Sequence, residues 1–252
     1  MAINFSSKLT ELRQRRLGID RDFGLILERA SVKEAYESRA QSAASRYALG
    51  AMAEVNPRYT EISVEECVRI ANQLTKNLGS ESVYCDYRLQ GSVPTNTHIR
   101  GISDVDFLVI IRDQHWFDRN GPKANQYVSY SGDLFQDLRN LRTRSETILK
   151  AQFPAAHVDC NGAKSIKISG GSLKREVDVV PSAWFNSVNF QTLGLEKYRG
   201  VDILDKSVPT TIRNFPFLHI SNVNDKARES NDGMKMAVRL LKNIKNMNIR
   251  LK

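Results

Sequence analysis

The run Phe107-Leu-Val-Ile-Ile111, entered directly from Ser103-Asp104-Val105-Asp106, constrains this chain more than any other segment. An unbroken apolar, β-branched run of this length reads as a buried strand. Side chains on a strand alternate faces, so Asp104 and Asp106 point the same way, roughly 7 Å apart along the backbone. In isolation an Asp-x-Asp is as readily a solvated strand end or a helix cap. Here the strand that follows is so apolar that two adjacent carboxylates are costly to leave unpaired. A cation between them removes that cost, and hard oxygen ligands of this kind suit magnesium.

The surrounding pattern supplies a sheet for this strand. Strand-like composition recurs at 83–89, 104–112, 156–160, 164–169 and 175–180, with a further candidate at 198–204. Gly170-Gly171 between two of these runs is a hairpin signal. Helices are expected at 7–17, across 20–49, at 133–152 ahead of Pro154, and from about Asn222 to Asn248. Ser63-Val-Glu-Glu66 has the capping-box arrangement and opens another helix, with Gly79 at its natural stop. The fold class is therefore α+β, a mixed sheet flanked by helices. The expected division is an N-terminal helical segment over 1–82, a core over 83–215, and the start of a C-terminal helical lobe over 216–252.

Two more features carry chemistry. Glu176-Val-Asp178-Val-Val-Pro181 sets acidic residues within a second apolar run. Glu176 and Asp178 share a face, so alternation alone lets either serve as a third ligand. Gln90-Gly91-Ser92 follows a strand directly; glycine permits close backbone approach to a ligand, and a neighbouring hydroxyl can donate to phosphate. Near the end of the chain, Lys235, Arg239 and Lys242 fall at helical spacing on one face, while Ala237, Leu241 and Ile244 form an expected buried stripe.

The bulk properties narrow the field. Of the residues, 37 are basic and 28 acidic, a net charge of +9 that favours anionic partners such as nucleotides or nucleic acid. The longest apolar runs are too short to span a bilayer, and no secretory leader precedes Lys8, so a cytoplasmic location without membrane association is expected. Cys67, Cys85 and Cys160 lie far apart, without zinc spacing, and read as ordinary reduced thiols. Trp116 and Trp184 read as core or pocket wall, and the four histidines show no metal spacing.

Taken together, Gly91-Ser92, the Asp104/Asp106 pair and the later Asp178 match the signature of the DNA polymerase beta-like nucleotidyltransferase superfamily. More narrowly, the run from Gly91 to Asp106 resembles the branch holding oligoadenylate synthetases, cyclic GMP–AMP synthase and the bacterial CD-NTases. Val177-Asp178-Val-Val-Pro-Ser182 is similar to that branch's third-aspartate motif, and Val238 to Lys245 resembles its helix of triphosphate-contacting basic residues. The resemblance covers roughly Val83 to Lys245. It implies that Asp104, Asp106 and Asp178 are catalytic and hold two Mg2+ ions, with Mn2+ as a substitute. It also implies that Gln90, Gly91, Ser92 and Lys242 bind the nucleotide. The implied activity joins ATP, GTP or other nucleoside triphosphates into a cyclic or short oligonucleotide messenger of the antiviral signalling type, releasing pyrophosphate, with RNA or protein as activator. Alternatives are template-independent addition to an RNA end and a catalytically silent nucleotide- or RNA-binding module. The cysteine–histidine insertion of the animal cyclic GMP–AMP synthase is missing, and the sequence stops where the family continues into its C-terminal lobe.

Overall fold

In the computed structural model the residues described are 3–17, 38–128, 130–208 and 210–247, with backbone alone at 113–115. The chain falls into two compact units. One comprises the described parts of Met1–Thr60, Thr95–Ser103 and Val223–Lys252; the other comprises Glu61–Pro94 and Asp104–Asn222.

In the second unit, seven strands among the described residues form one mixed sheet. They are β1 (Cys85–Gln90), β2 (Val105–Phe117), β3 (His157–Asp159), β4 (Ile166–Ser169), β5 (Val177–Asn186), β6 (Arg199–Asp205) and β7 (Thr210–Asn214). The spatial order is β1-β2-β5-β4-β3, with β6 also paired to β5, and β7 to β6. β2 and β5 run parallel; all other pairs are antiparallel. The long strand β5 is shared along one edge: Val177 to Val179 face β4, and Ser182 to Asn186 face β6.

That division explains why β5 extends beyond the expected end at Val180. Pro181 lacks an N–H and normally interrupts a ladder. Here it falls between the stretches paired to β4 and β6, where that edge has no ladder bond to lose. β2 likewise runs on to Phe117, absorbing a register shift between Ile111 and His115. β7, with no apolar run of its own, is an edge strand that composition did not announce.

Strand alternation sorts the side chains into two faces. Val105, Phe107, Val109, Ile111, Val177, Val179, Ile166 and Ile168 turn toward one side. There they pack against Cys67, Ile70, Leu74 and Leu78 of α3 (Pro57–Ser80) and Leu138, Leu141, Ile148 and Leu149 of α4 (Leu134–Gln152). The other face carries a smaller cluster of Leu108, Ile110, Val180, Trp184, Val201 and Ile203. α4 begins where expected, with the Asp133 carboxylate accepting from Phe135 N and Gln136 N. A short helix, α5 (Val188–Leu193), follows β5.

α3 begins earlier than expected. It opens at Pro57, whose missing N–H costs nothing in a first turn. Ser63 is consequently a buried interior residue rather than a cap, and Glu66 points into the protein, where Oε1 accepts Lys174 N at 3.0 Å.

In the other unit, α1 (Phe5–Leu17), α2 (Ala43–Met52) and α7 (Gly233–Asn246) enclose Leu9, Leu12, Tyr47 and Ala51. Most of the expected 20–49 helix lies outside the described residues; α2 is its described end. The expected C-terminal helix is two helices, α6 (Pro216–Glu229) and α7, broken where Asn231 and Asp232 adopt positive φ of 46° and 62°. The expected apolar stripe on α7 is also rotated. Arg239 and Asn243 are its buried residues, whereas Ala237 and Leu241 are exposed. Arg239 is buried because it finds partners there: Nε donates to Met52 O at 2.7 Å and Nη1 to Asn96 O at 2.6 Å.

Candidate active site

The candidate site residues lie along one line drawn across the sheet. Gln90 on β1 is the ladder partner of Asp106 on β2. Asp106 is the partner of Asp178 on β5, Asp178 of Lys167 on β4, and Lys167 of Asp159 on β3. Paired residues share a face, so these side chains stand together on the side away from α3 and α4. Glu176 and Asp178 both reach this face: Asp178 lies level with Asp106, and the Glu176 carbonyl accepts the N–H of Val105 at 3.3 Å.

Gly91 explains how β1 ends so close to the carboxylates. Its φ of +75° lies in the region glycine visits freely, and a Cβ there would stand 2.2 Å from Asp106 Oδ2. The turn at Gly91 is thus shaped around the aspartate.

One residue of the row was not anticipated. The ammonium of Lys167 stands among three acidic groups: Glu176 Oε1 at 2.5 Å, Asp104 Oδ2 at 2.9 Å and Asp178 Oδ1 at 3.7 Å. Asp104, just ahead of β2, joins the site through this contact. The sequence signal for Lys167 was a single cation alternating with Ile166 and Ile168, opposite a carboxylate once the hairpin register is known.

The electrostatics follow from this placement. Burial holds the Asp178 carboxyl above its ordinary range; Lys167 pulls the other way, while Asp104 and Glu176 add to the upward push. Lys167 moves in the direction that favours its charge, chiefly through the hydrogen bond to Glu176 against some desolvation. Both shifts are consistent, because the ammonium is spent mainly on Glu176 and Asp104 and leaves Asp178 only partly compensated. Asp178 Oδ1 is buried and accepts no hydrogen bond.

Among the described residues, no three His, Cys, Asp or Glu side chains converge tightly enough to hold a metal as they stand. The donor set nevertheless fits a hard divalent ion: carboxylate oxygens on one face, one of them lacking a donor, beside a glycine that leaves the space open.

Lys242, by contrast, is a half-buried residue of α7 and belongs to the other unit. Its neighbour in the expected basic face, Arg239, is buried and committed to backbone carbonyls. Trp184 is fully buried, donating Nε1–H to Asp86 Oδ2 at 2.9 Å beneath the Arg199 guanidinium, so it is a core residue. His98 bonds Thr60 and stacks on Tyr59. None of the three cysteines is in a disulfide. Two hollows, of 260 Å3 at Ser82, Tyr84 and Arg144 and of 270 Å3 at Phe135, Arg139 and Lys206, include none of the row residues.

A mixed sheet that carries an aspartate pair into its central strand and a third aspartate level with it on the parallel neighbour defines a polymerase beta-like nucleotidyltransferase. No family model matches the chain. It is 43% identical over 233 residues to a cyclic dinucleotide synthase, CdnE, of Yersinia aleksiciae, covering 92% of this chain and 60% of that one. It is 33% identical over 222 residues to a c-di-GMP synthase of a Lachnospiraceae bacterium, covering 79% of this chain and 62% of that one. Among solved structures, the STING-associated CdnE c-di-GMP synthase from Flavobacteriaceae sp. superposes with a TM-score of 0.74 at 27% identity, over 98% of this chain and 73% of that one. The chain belongs to the CD-NTase branch of the superfamily. It spans about 60% of the length of these curated relatives.

Proposed function

We propose that the chain carries the catalytic core of a divalent-metal-dependent nucleotidyltransferase that joins nucleoside triphosphates into a cyclic dinucleotide with release of pyrophosphate. The observation that carries this reading is the register of Asp106 with Asp178, beside a glycine turn that only the absence of a Cβ permits. The names of the relatives, cyclic dinucleotide and c-di-GMP synthases, support GTP as one substrate, with ATP or another triphosphate as the second. A signalling role in antiviral defence, a cytoplasmic location and activation by RNA or protein belong to the same reading. No helix among the described residues is long and apolar enough to cross a membrane. We also read 216–252 as the start of a C-terminal helical lobe, 83–215 as the catalytic core and 1–82 as an N-terminal helical segment.

Asp104, Asp106 and Asp178 would hold two Mg2+ or Mn2+ ions. Such ions, when bound, neutralise charge at the attacking and leaving oxygens of a phosphoryl displacement. The protein's own part is positional. β2 and β5 set the carboxylates level, Gly91 and Ser92 bring backbone and hydroxyl donors to where phosphates approach, and Gln90 adds an amide on the same row.

The test is mass spectrometry of products after incubation with Mg2+ and all four ribonucleoside triphosphates, alongside an Asp104→Asn/Asp106→Asn double variant. A cyclic dinucleotide formed by the unsubstituted protein alone supports the proposal and names the bases. Products that form only when an RNA end is supplied would replace it with RNA tailing.

A further inference from the structure

We propose that Lys167 is a built-in counter-ion of the carboxylate row, a positioning residue that holds Asp104 and Asp178 together without divalent ions and must yield its place for them to bind. The proposal rests on the reading of these aspartates as metal ligands. It starts from one arrangement in the structure: a single ammonium contacts three carboxylates contributed by two chain segments, at 2.5, 2.9 and 3.7 Å.

Three physical points support it. An ammonium is a compact point charge with donors in several directions, so it can bridge carboxylates much as a small cation does. Its single positive charge balances only one of the three negative charges it contacts, which leaves the row short of compensation. The oxygens it occupies are the ones a metal would need: Asp104 Oδ2 accepts from it, and Asp178 Oδ1 faces it. An oxygen lone pair directed at an ammonium cannot also coordinate an ion in the same place. Binding of a divalent ion is therefore an exchange in which Lys167 withdraws.

Glu176 gives the withdrawn ammonium somewhere to rest. It lies on the same face as Asp178, two residues earlier, and makes the shortest of the three contacts. The hairpin between β4 and β5 keeps Lys167 level with Asp178 in both states, because the register is fixed by backbone bonds rather than by the ion pairs. Lys167 thereby sets the concentration of divalent ion at which the carboxylates are taken over.

The experiment compares the full chain with Lys167→Met and Lys167→Arg, at one pH, in two readouts that need no turnover: Mn2+ binding followed by electron paramagnetic resonance, and thermal unfolding in EDTA. Lys167→Met should bind Mn2+ about tenfold more tightly, as expected for removing one positive charge beside an ion at a partly exposed site. It should also melt earlier in EDTA and gain more in Tm on adding Mn2+. Lys167→Arg, which retains the charge, should bind Mn2+ with nearly the original affinity. Equal or weaker Mn2+ binding by Lys167→Met, with clear binding by the unsubstituted chain that Asp178→Asn abolishes, would overturn the counter-ion proposal and leave the metal site standing. No Mn2+ binding by either protein would overturn both. Should Lys167→Met fail to fold, Lys167→Gln serves the same comparison.

Discussion

Asp106 and Asp178 are direct partners in the parallel ladder between β2 and β5, with Gln90 and Lys167 completing the line on either side. Two carboxylates held level by backbone pairing cannot relieve their repulsion by sliding apart. Asp106→Asn and Asp178→Asn should each lower nucleotidyl transfer by about a thousandfold or more, the scale of several kcal/mol of lost transition-state stabilisation. Both should retain the fold, since each removes one negative charge from a crowded row. Steady-state rates together with circular dichroism check this; near-normal turnover by either variant would remove that aspartate from the site.

Gly91 abuts the same carboxylate. Gly91→Ala places a methyl 2.2 Å from Asp106 Oδ2 in a backbone conformation that L residues avoid. The expected cost is roughly 1–2 kcal/mol of stability. Activity should fall much further, because the aspartate must turn away. A variant with wild-type kcat/KM would show that the carboxylate has room to move.

The half-buried carboxyl of Asp178 makes a prediction about pH in the absence of divalent ions. Its proton affinity is higher in the folded chain than in the unfolded one, so the folded state binds more protons in the interval between. Its contribution is most favourable below the ordinary carboxylate range and is lost as pH rises through the elevated folded value. Asp178→Asn is free of that loss, so its stability relative to wild type should grow as pH rises from that range toward neutrality. Urea unfolding of both proteins in EDTA across the interval tests the sign; a gap that narrows would contradict it.

Stability away from the site should depend on Arg142. This buried guanidinium bonds Glu146 and donates to the carbonyls of Cys160, Gly162, Ala163 and Ser165, the loop joining β3 to β4. Arg142→Leu would leave those carbonyls without partners and cost about 3 kcal/mol. Arg142→Lys, a point charge in place of a planar fork, should recover only part of the loss. Chemical denaturation would measure both.

The cysteines should separate by reactivity. Burial, with Glu66 and Asp106 nearby, pushes the Cys67 thiol up to about 12, so almost no thiolate exists at pH 8. Cys85 is also buried, whereas Cys160 is only partly covered. Native alkylation followed by peptide mapping should label Cys160 first, and Cys67 only after unfolding.

Local pattern determined a good deal of this protein. The period-2 alternation around Phe107 to Ile111 put Asp104 and Asp106 on one side, and β-branched runs marked most strands of the sheet. Alternation alone left Glu176 and Asp178 equivalent, because it fixes a face and not a level; the parallel pairing of β5 with β2 sets Asp178 level with Asp106. The same holds for Lys167, whose role exists only once a hairpin sets it beside carboxylates distant in the chain. Arg239 and Ser63 ran against their patterns for a related reason. A buried guanidinium or hydroxyl is tolerated where distant backbone or packing meets it, and no local spacing records that meeting. Faces and periods are properties of neighbouring residues and can be read along the chain. Register, counter-charge and the satisfaction of buried donors are agreements between distant segments, and only the folded structure decides them.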